Sequence, residues 1–154
     1  MRAMLAALPA ILLLVLAAAV PAAAGAKTTV TTRQGPLGTH LADSHGRTLY
    51  LFAKDKTRTS RCSGACAQFW PPLIARHGVR AAGGAKASKL STSKRANGKR
   101  QVVYGGHPVY RYTGDSAPGD TTGEGLSAFG ARWWLVSPAG RRITMGTSPG
   151  PYGY

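Results

Sequence analysis

The sequence predicts an all-β domain made of two related antiparallel meander repeats packed around a shared aromatic core. Three observations lead there. Glycine and proline are abundant, 20 and 10 of 154 residues, which favours many turns and short strands over long helices. The runs "TLYLF" (Thr48 to Phe52) and "PVYRY" (Pro108 to Tyr112) are β-branched and aromatic and are bounded by turn residues. The second run also repeats the first. Leu49-Tyr50-Leu51-Phe52-Ala53-Lys54-Asp55 and Val109-Tyr110-Arg111-Tyr112-Thr113-Gly114-Asp115 both read apolar, Tyr, x, aromatic, x, x, Asp, sixty positions apart.

The chain opens on "MRAMLAALPAILLLVLAAAVPAAAGA", with Arg2, an unbroken apolar stretch and small residues ending at Ala24-Gly25-Ala26. That layout is a secretory signal peptide over residues 1–26. An uncleaved anchor is the rival, but Leu5 to Val20 is short for a span of about 20 residues. Residues 27–145 then form one domain of two copies, about 35–75 and 90–142. A basic Gly/Ala/Lys linker at 76–89 joins them, and "SPGPYGY" falls in a disordered tail at 146–154.

In the first copy, strands are expected near Thr28 to Arg33, Thr39 to Asp43 and Thr48 to Phe52. Gly64 to Phe69 is the one stretch suited to a short helical turn. In the second, Asn97-Gly98 is a strong hairpin signal joining Leu90–Arg95 to Gln101–Tyr104, and Gly105-Gly106 turns the chain into His107 to Tyr112. "RWWLV" is a last strand, turned by Ser137-Pro138-Ala139-Gly140 toward Arg141 to Met145.

Side chains alternate across a strand, so Tyr50 and Phe52 share one face and Leu49 and Leu51 the other. Tyr110 and Tyr112 pair in the same way. The two aromatic faces are expected to meet in one core with Phe69, Trp70, Trp133 and Trp134, which supply most of its buried area. Asp55 and Asp115, at the strand exits, are expected to accept backbone N–H groups in their turns.

The duplicated signature, "CSGACAQFWPPL" after the first copy and "GHPVYRYTGDSAPGDTTGEG" with "WWLVSPAG" in the second together resemble the bacterial secreted-repeat family with a Yx(F/W/Y)xxD motif, often described as lipoproteins. The resemblance covers about Gly35 to Arg141. It implies an envelope or extracellular location, tandem repeats and no established biochemical function. This chain departs from the lipoprotein members in having no lipid-attachment cysteine after its leader.

Cys62 and Cys66 are the only cysteines. Three residues separate them and Ala67 follows, so c-type haem attachment and thioredoxin-like chemistry do not fit. A four-ligand zinc site needs two more ligands. Export favours a disulfide. The objection is that i and i+4 on an ideal helix lie about 5–6 Å apart at Cβ, whereas a disulfide needs roughly 3.5–4.5 Å; Ser63-Gly64 can relax the turn. A soft metal such as Cu(I), held by Cys62 and Cys66 with His45 or His107, stays open, as does a reactive thiol. Asp115, Asp120 and Glu124 lack the alternate spacing of an EF-hand loop. No nucleophile elbow, phosphate loop, dinucleotide fingerprint or triad context is present.

The net charge is +15, and from Lys56 through Gly114 there is no acidic residue. Such a field attracts anions, and its plain reading is a solvated surface that keeps a secreted protein soluble. With no catalytic constellation in the sequence, the expected function is non-enzymatic, a secreted envelope or extracellular binding module without a cofactor. Anionic lipid or acidic wall polymers are its expected partners; no specific nucleic acid is. The alternative is a periplasmic copper-binding or redox accessory protein built on Cys62 and Cys66, with a small hydrolase behind it.

Overall fold

The computed structural model describes residues 25–144. The expected leader, but for its last two residues, and the expected tail lie outside the described residues. Nine short strands form two sheets. β1 (Thr28–Gly35) and β2 (Gly38–Asp43) make a hairpin, and β4 (Val79–Ala81) joins β1 in parallel, giving the order β2-β1-β4. The larger sheet has the order β5-β6-β7-β3-β9-β8. Its strands are β3 (Tyr50–Phe52), β5 (Leu90–Lys94), β6 (Arg100–Tyr104), β7 (His107–Tyr110), β8 (Ser127–Ala128) and β9 (Ala131–Leu135). The one α-helix among the described residues, α1, is Ala65–Phe69.

The second copy is the expected meander. Lys94 pairs Arg100 across the Asn97-Gly98 turn, where Gly98 has φ 78°, a conformation that glycine takes without a Cβ clash. The first copy departs from that plan. Its β2 meets the β3 segment only at an Ala42–Thr48 bridge, so β1 and β2 form a layer of their own. The stretch expected as a linker is structured too. It supplies β4 and a 3-10 turn at Ala87–Lys89, and Lys86 N–H donates to the Tyr104 hydroxyl at 2.8 Å. Backbone pairing with β1 requires no apolar pattern, which is why composition alone read this segment as a spacer.

β3 and β7 sit at the centre of the large sheet, antiparallel, with Tyr50 opposite Tyr110. Equivalent motif positions thus face each other, and a local two-fold axis relates the copies at this pair. The aromatic faces do not oppose each other from separate layers. They lie side by side on one face of one sheet.

That face carries Tyr50, Phe52, Cys62, Cys66, Trp70, Tyr110, Trp133 and Leu135 as one buried cluster. The opposite face carries Leu49, Leu51, Val102, Tyr104 and Val109, packed with Val30 and Leu41 of the small sheet. Both faces of the central strands are therefore covered, and every residue of β3 is buried.

Two aromatic expectations are corrected here. Trp134 packs against the aliphatic cluster, not the aromatic one, because neighbours on a strand point to opposite faces. Phe69 is 55% exposed. On α1 the i, i+4 pair Cys66 and Trp70 faces the core, and Phe69 lies one residue off that line.

Candidate functional site

The duplicated motif closes on itself across the two-fold axis. The Tyr50 hydroxyl donates to Asp115 Oδ2 at 2.8 Å, and the Tyr110 hydroxyl donates to Asp55 Oδ2 at 2.6 Å. Each tyrosine thus reaches the aspartate of the other copy. The remaining oxygens serve the turns. Asp55 Oδ1 accepts from Arg61 N–H at 2.6 Å, and Asp115 Oδ1 accepts from the backbone N–H and hydroxyl of Thr122 at 2.9 and 2.7 Å. Sequence reasoning found the turn role and missed the cross-copy bond. Its signal was the identical five-residue offset from tyrosine to aspartate in both copies.

The rings exchange partners in the same way. Phe52 stacks on Trp133 at 4.1 Å, Trp133 on Trp70 at 3.9 Å, and Trp70 on Tyr112 at 4.2 Å. Each copy's second motif aromatic therefore lies on the other copy's tryptophan, and the two tryptophans meet at the axis. Tyr50 meets Trp70 edge-on at 5.4 Å, and Tyr110 meets Trp133 edge-on at 5.1 Å. Such contacts add about 0.5–1.5 kcal/mol each beyond area burial. Gly123 is required here: a Cβ on it would stand 2.8 Å from the Trp70 ring and 2.9 Å from that of Tyr50.

Burial, then the neighbouring Asp115, pushes the Tyr50 phenol well above its ordinary value; burial, then Asp55, does the same for Tyr110. Burial also raises Asp55, against the pull of the Tyr110 hydroxyl and the Arg61 N–H. The centre favours neutral phenols.

Cys62 and Cys66 are joined as a disulfide with Cα atoms 5.3 Å apart, beside Trp70 in the aromatic cluster. Neither thiolate is free to ligate a metal or to attack. The candidate histidines are placed apart. His45 lies in the turn after β2, where its N–H donates to Asp43 Oδ1 at 2.8 Å. His107 begins β7, half-buried; burial lowers its pKa and the nearby Asp55 raises it. Among the described residues no group of three or more His, Cys, Asp or Glu side chains is placed to hold a metal ion. The copper alternative is therefore not favoured.

All five acidic side chains are engaged inside the fold. Besides Asp55 and Asp115, Asp43 accepts from two backbone N–H groups and pairs with Arg111 Nε at 2.6 Å. Asp120 accepts from Ser116 and Ala117 N–H, and Glu124 from Leu135 N–H. The Arg111–Asp43 contact is the one ion pair among the described residues.

Residues 31–74 and 91–137 each match a family described as a secreted repeat of unknown function. The chain belongs to that family. The two matched segments contain the two motifs, so this secreted-repeat protein is a tandem pair whose copies complete each other. No curated protein and no solved structure matches the chain. Among the described residues no helix is long and apolar enough to cross a membrane, in keeping with a secreted or envelope location.

Proposed function

We propose that this secreted-repeat protein is a non-enzymatic binding module for anionic components of the cell envelope, such as anionic lipid or acidic wall polymers. One observation carries the reading: every carboxylate is spent on internal hydrogen bonds, while among the described residues a single cation is matched to one of them as an ion pair. Of 20 Lys and Arg, all but Arg2 lie in the described residues, and one of them has a carboxylate partner within 4 Å. The aromatic centre serves as a rigid frame for that charge, because its polar groups are mutually satisfied and buried.

The test is retention of the mature protein on vesicles containing anionic lipid and on acidic wall fragments, as salt is raised. Retention should be strong at low ionic strength and lost near 1 M salt, where the screening length is about 3 Å. Binding that ignores salt, or no binding at low salt, would overturn the proposal.

A further inference from the structure

A cleft of about 410 Å³ opens beside β3. Its floor is Leu51, Phe52 and Ala53, and Trp134 and the turn at 140–142 form a wall. Three exposed cations, Lys56, Arg141 and Arg142, line it together with the half-buried His107. The one carboxylate in the lining, Asp55, has both oxygens bound internally, to the Tyr110 hydroxyl and to Arg61 N–H. The cleft thus combines an apolar floor with three exposed cations against a single, internally bonded carboxylate.

Trp134 has two further properties. The guanidinium of Arg142 lies over its ring, 5.6 Å from the centroid, which fixes that cation at the cleft wall. Its indole N–H is buried without a hydrogen-bond partner. That nitrogen has no surface open to the cleft, so an occupant is sensed by the Trp134 ring beside it and not bonded by the N–H. By contrast, the indole N–H of its strand neighbour Trp133, in the aromatic cluster, is taken by Ala128 O at 3.3 Å.

We infer that this cleft is a binding subsite for an acidic saccharide unit, a sugar ring carrying a carboxylate or a phosphate. The size suits one such unit and lies in the range of small-ligand sites. The anionic group faces Arg141, Arg142 and Lys56; the C–H face of the ring lies on the apolar floor; ring or hydroxyl oxygens meet His107. A simple aromatic acid has the charge and the apolar face but not the additional oxygens. Inorganic phosphate has the charge alone. The inference rests on the anion-binding proposal above and gives it a specific place and chemistry.

The indole N–H signals of Trp70, Trp133 and Trp134 in the ¹⁵N-labelled mature protein provide the test, with Trp134→Phe identifying the third. Glucuronate oligosaccharides and glucose 6-phosphate should shift the Trp134 signal saturably. Glucose, inorganic phosphate and benzoate should bind about tenfold more weakly or less, the equivalent of one charge-assisted contact. Arg142→Gln, on the exposed turn, should weaken the acidic sugars by about tenfold with melting temperature unchanged. A Trp134 signal that stays fixed, or that responds equally to glucose or inorganic phosphate, would overturn the subsite. Salt-sensitive retention on anionic vesicles, measured on the same Arg142→Gln variant, separates the two proposals. Retention with a fixed Trp134 signal removes the subsite alone, and saturable sugar binding without retention removes the surface reading alone.

Discussion

In the second copy β5, β6 and β7 run as one continuous meander, while in the first β1 and β2 leave the large sheet and pair with β4. The strand that follows each centre differs as well. β9 makes a regular ladder with β3, whereas the equivalent stretch of the first copy touches β7 through a single Pro72–Tyr110 bridge. Pro71 and Pro72 lack the N–H that a ladder needs. The long exit loops are held by different chemistry, a disulfide in the first copy and the Asp120 and Glu124 carboxylates in the second. Only the central tyrosines, aspartates and stacked rings are alike. The two-fold relation binds the groups that bond across it, and the periphery of each copy is free to differ.

Replacing Trp133 by alanine opens the centre of the ring stack and should cost about 3–5 kcal/mol, and Trp70→Ala a similar amount. Chemical denaturation of both variants checks this. A small loss at Trp70 alone would show that the first copy only leans on the second. Next in size are the phenols. Tyr50→Phe and Tyr110→Phe each remove a hydrogen bond to a carboxylate, worth about 1.5–3 kcal/mol. The loss should be larger at Tyr110, whose oxygen also lies 2.7 Å from Ser60 Oγ, than at Tyr50, whose second partner is Gly123 N–H at 3.3 Å. Double-mutant cycles should couple Tyr50 to Asp115 and Tyr110 to Asp55, and coupling inside a copy instead would contradict the exchange.

The disulfide joins two residues of the first copy. Cys62→Ser with Cys66→Ser should cost on the order of 2 kcal/mol by the chain-entropy estimate for so short a loop, leaving the Tyr50–Asp115 coupling energy intact. The smallest effect is on pH dependence. Folded-state pKa values of Tyr50 and Tyr110 lie above the ordinary 10, so their contribution is complete below pH 10 and is lost as pH rises beyond it. Burial lowers His40 and His107 below 6.5, so theirs is complete above that pH and is lost as pH falls. Denaturation midpoints across the pH range should show a plateau between these limits. Tyr110→Phe should reduce the alkaline decline; an unchanged decline would assign it elsewhere.

β5, β6 and β7 were legible in the sequence because Asn97-Gly98 and Gly105-Gly106 mark both turns, whereas the two-residue β8 carried no pattern. The helical turn at Gly64 was legible for a similar local reason, as it lies between the cysteines. The exchange of partners left only the identical tyrosine-to-aspartate offset of the two copies, which does not say which aspartate each tyrosine meets, since Tyr50 and Asp115 are 65 positions apart. Trp133 and Trp134 show a rule passed over: strand alternation alone separates them, yet both were expected in one core. Phe129 had no signal at all. It sits at φ 56° in the β8–β9 turn, 40% exposed and 6.1 Å from Phe69, in a conformation unusual for a bulky residue.

The exchange also governs when this protein can fold. The chain is made N-terminus first, so Tyr50, Phe52 and Trp70 exist before Asp115 and Trp133 are there to receive them. The first copy has no finished centre of its own to collapse around. Closure awaits the arrival of β9, the last strand among the described residues, and such non-local pairing is slow. During that interval the emerging first half displays aromatic surface, and whatever factors guard exported chains from aggregation must act on it then.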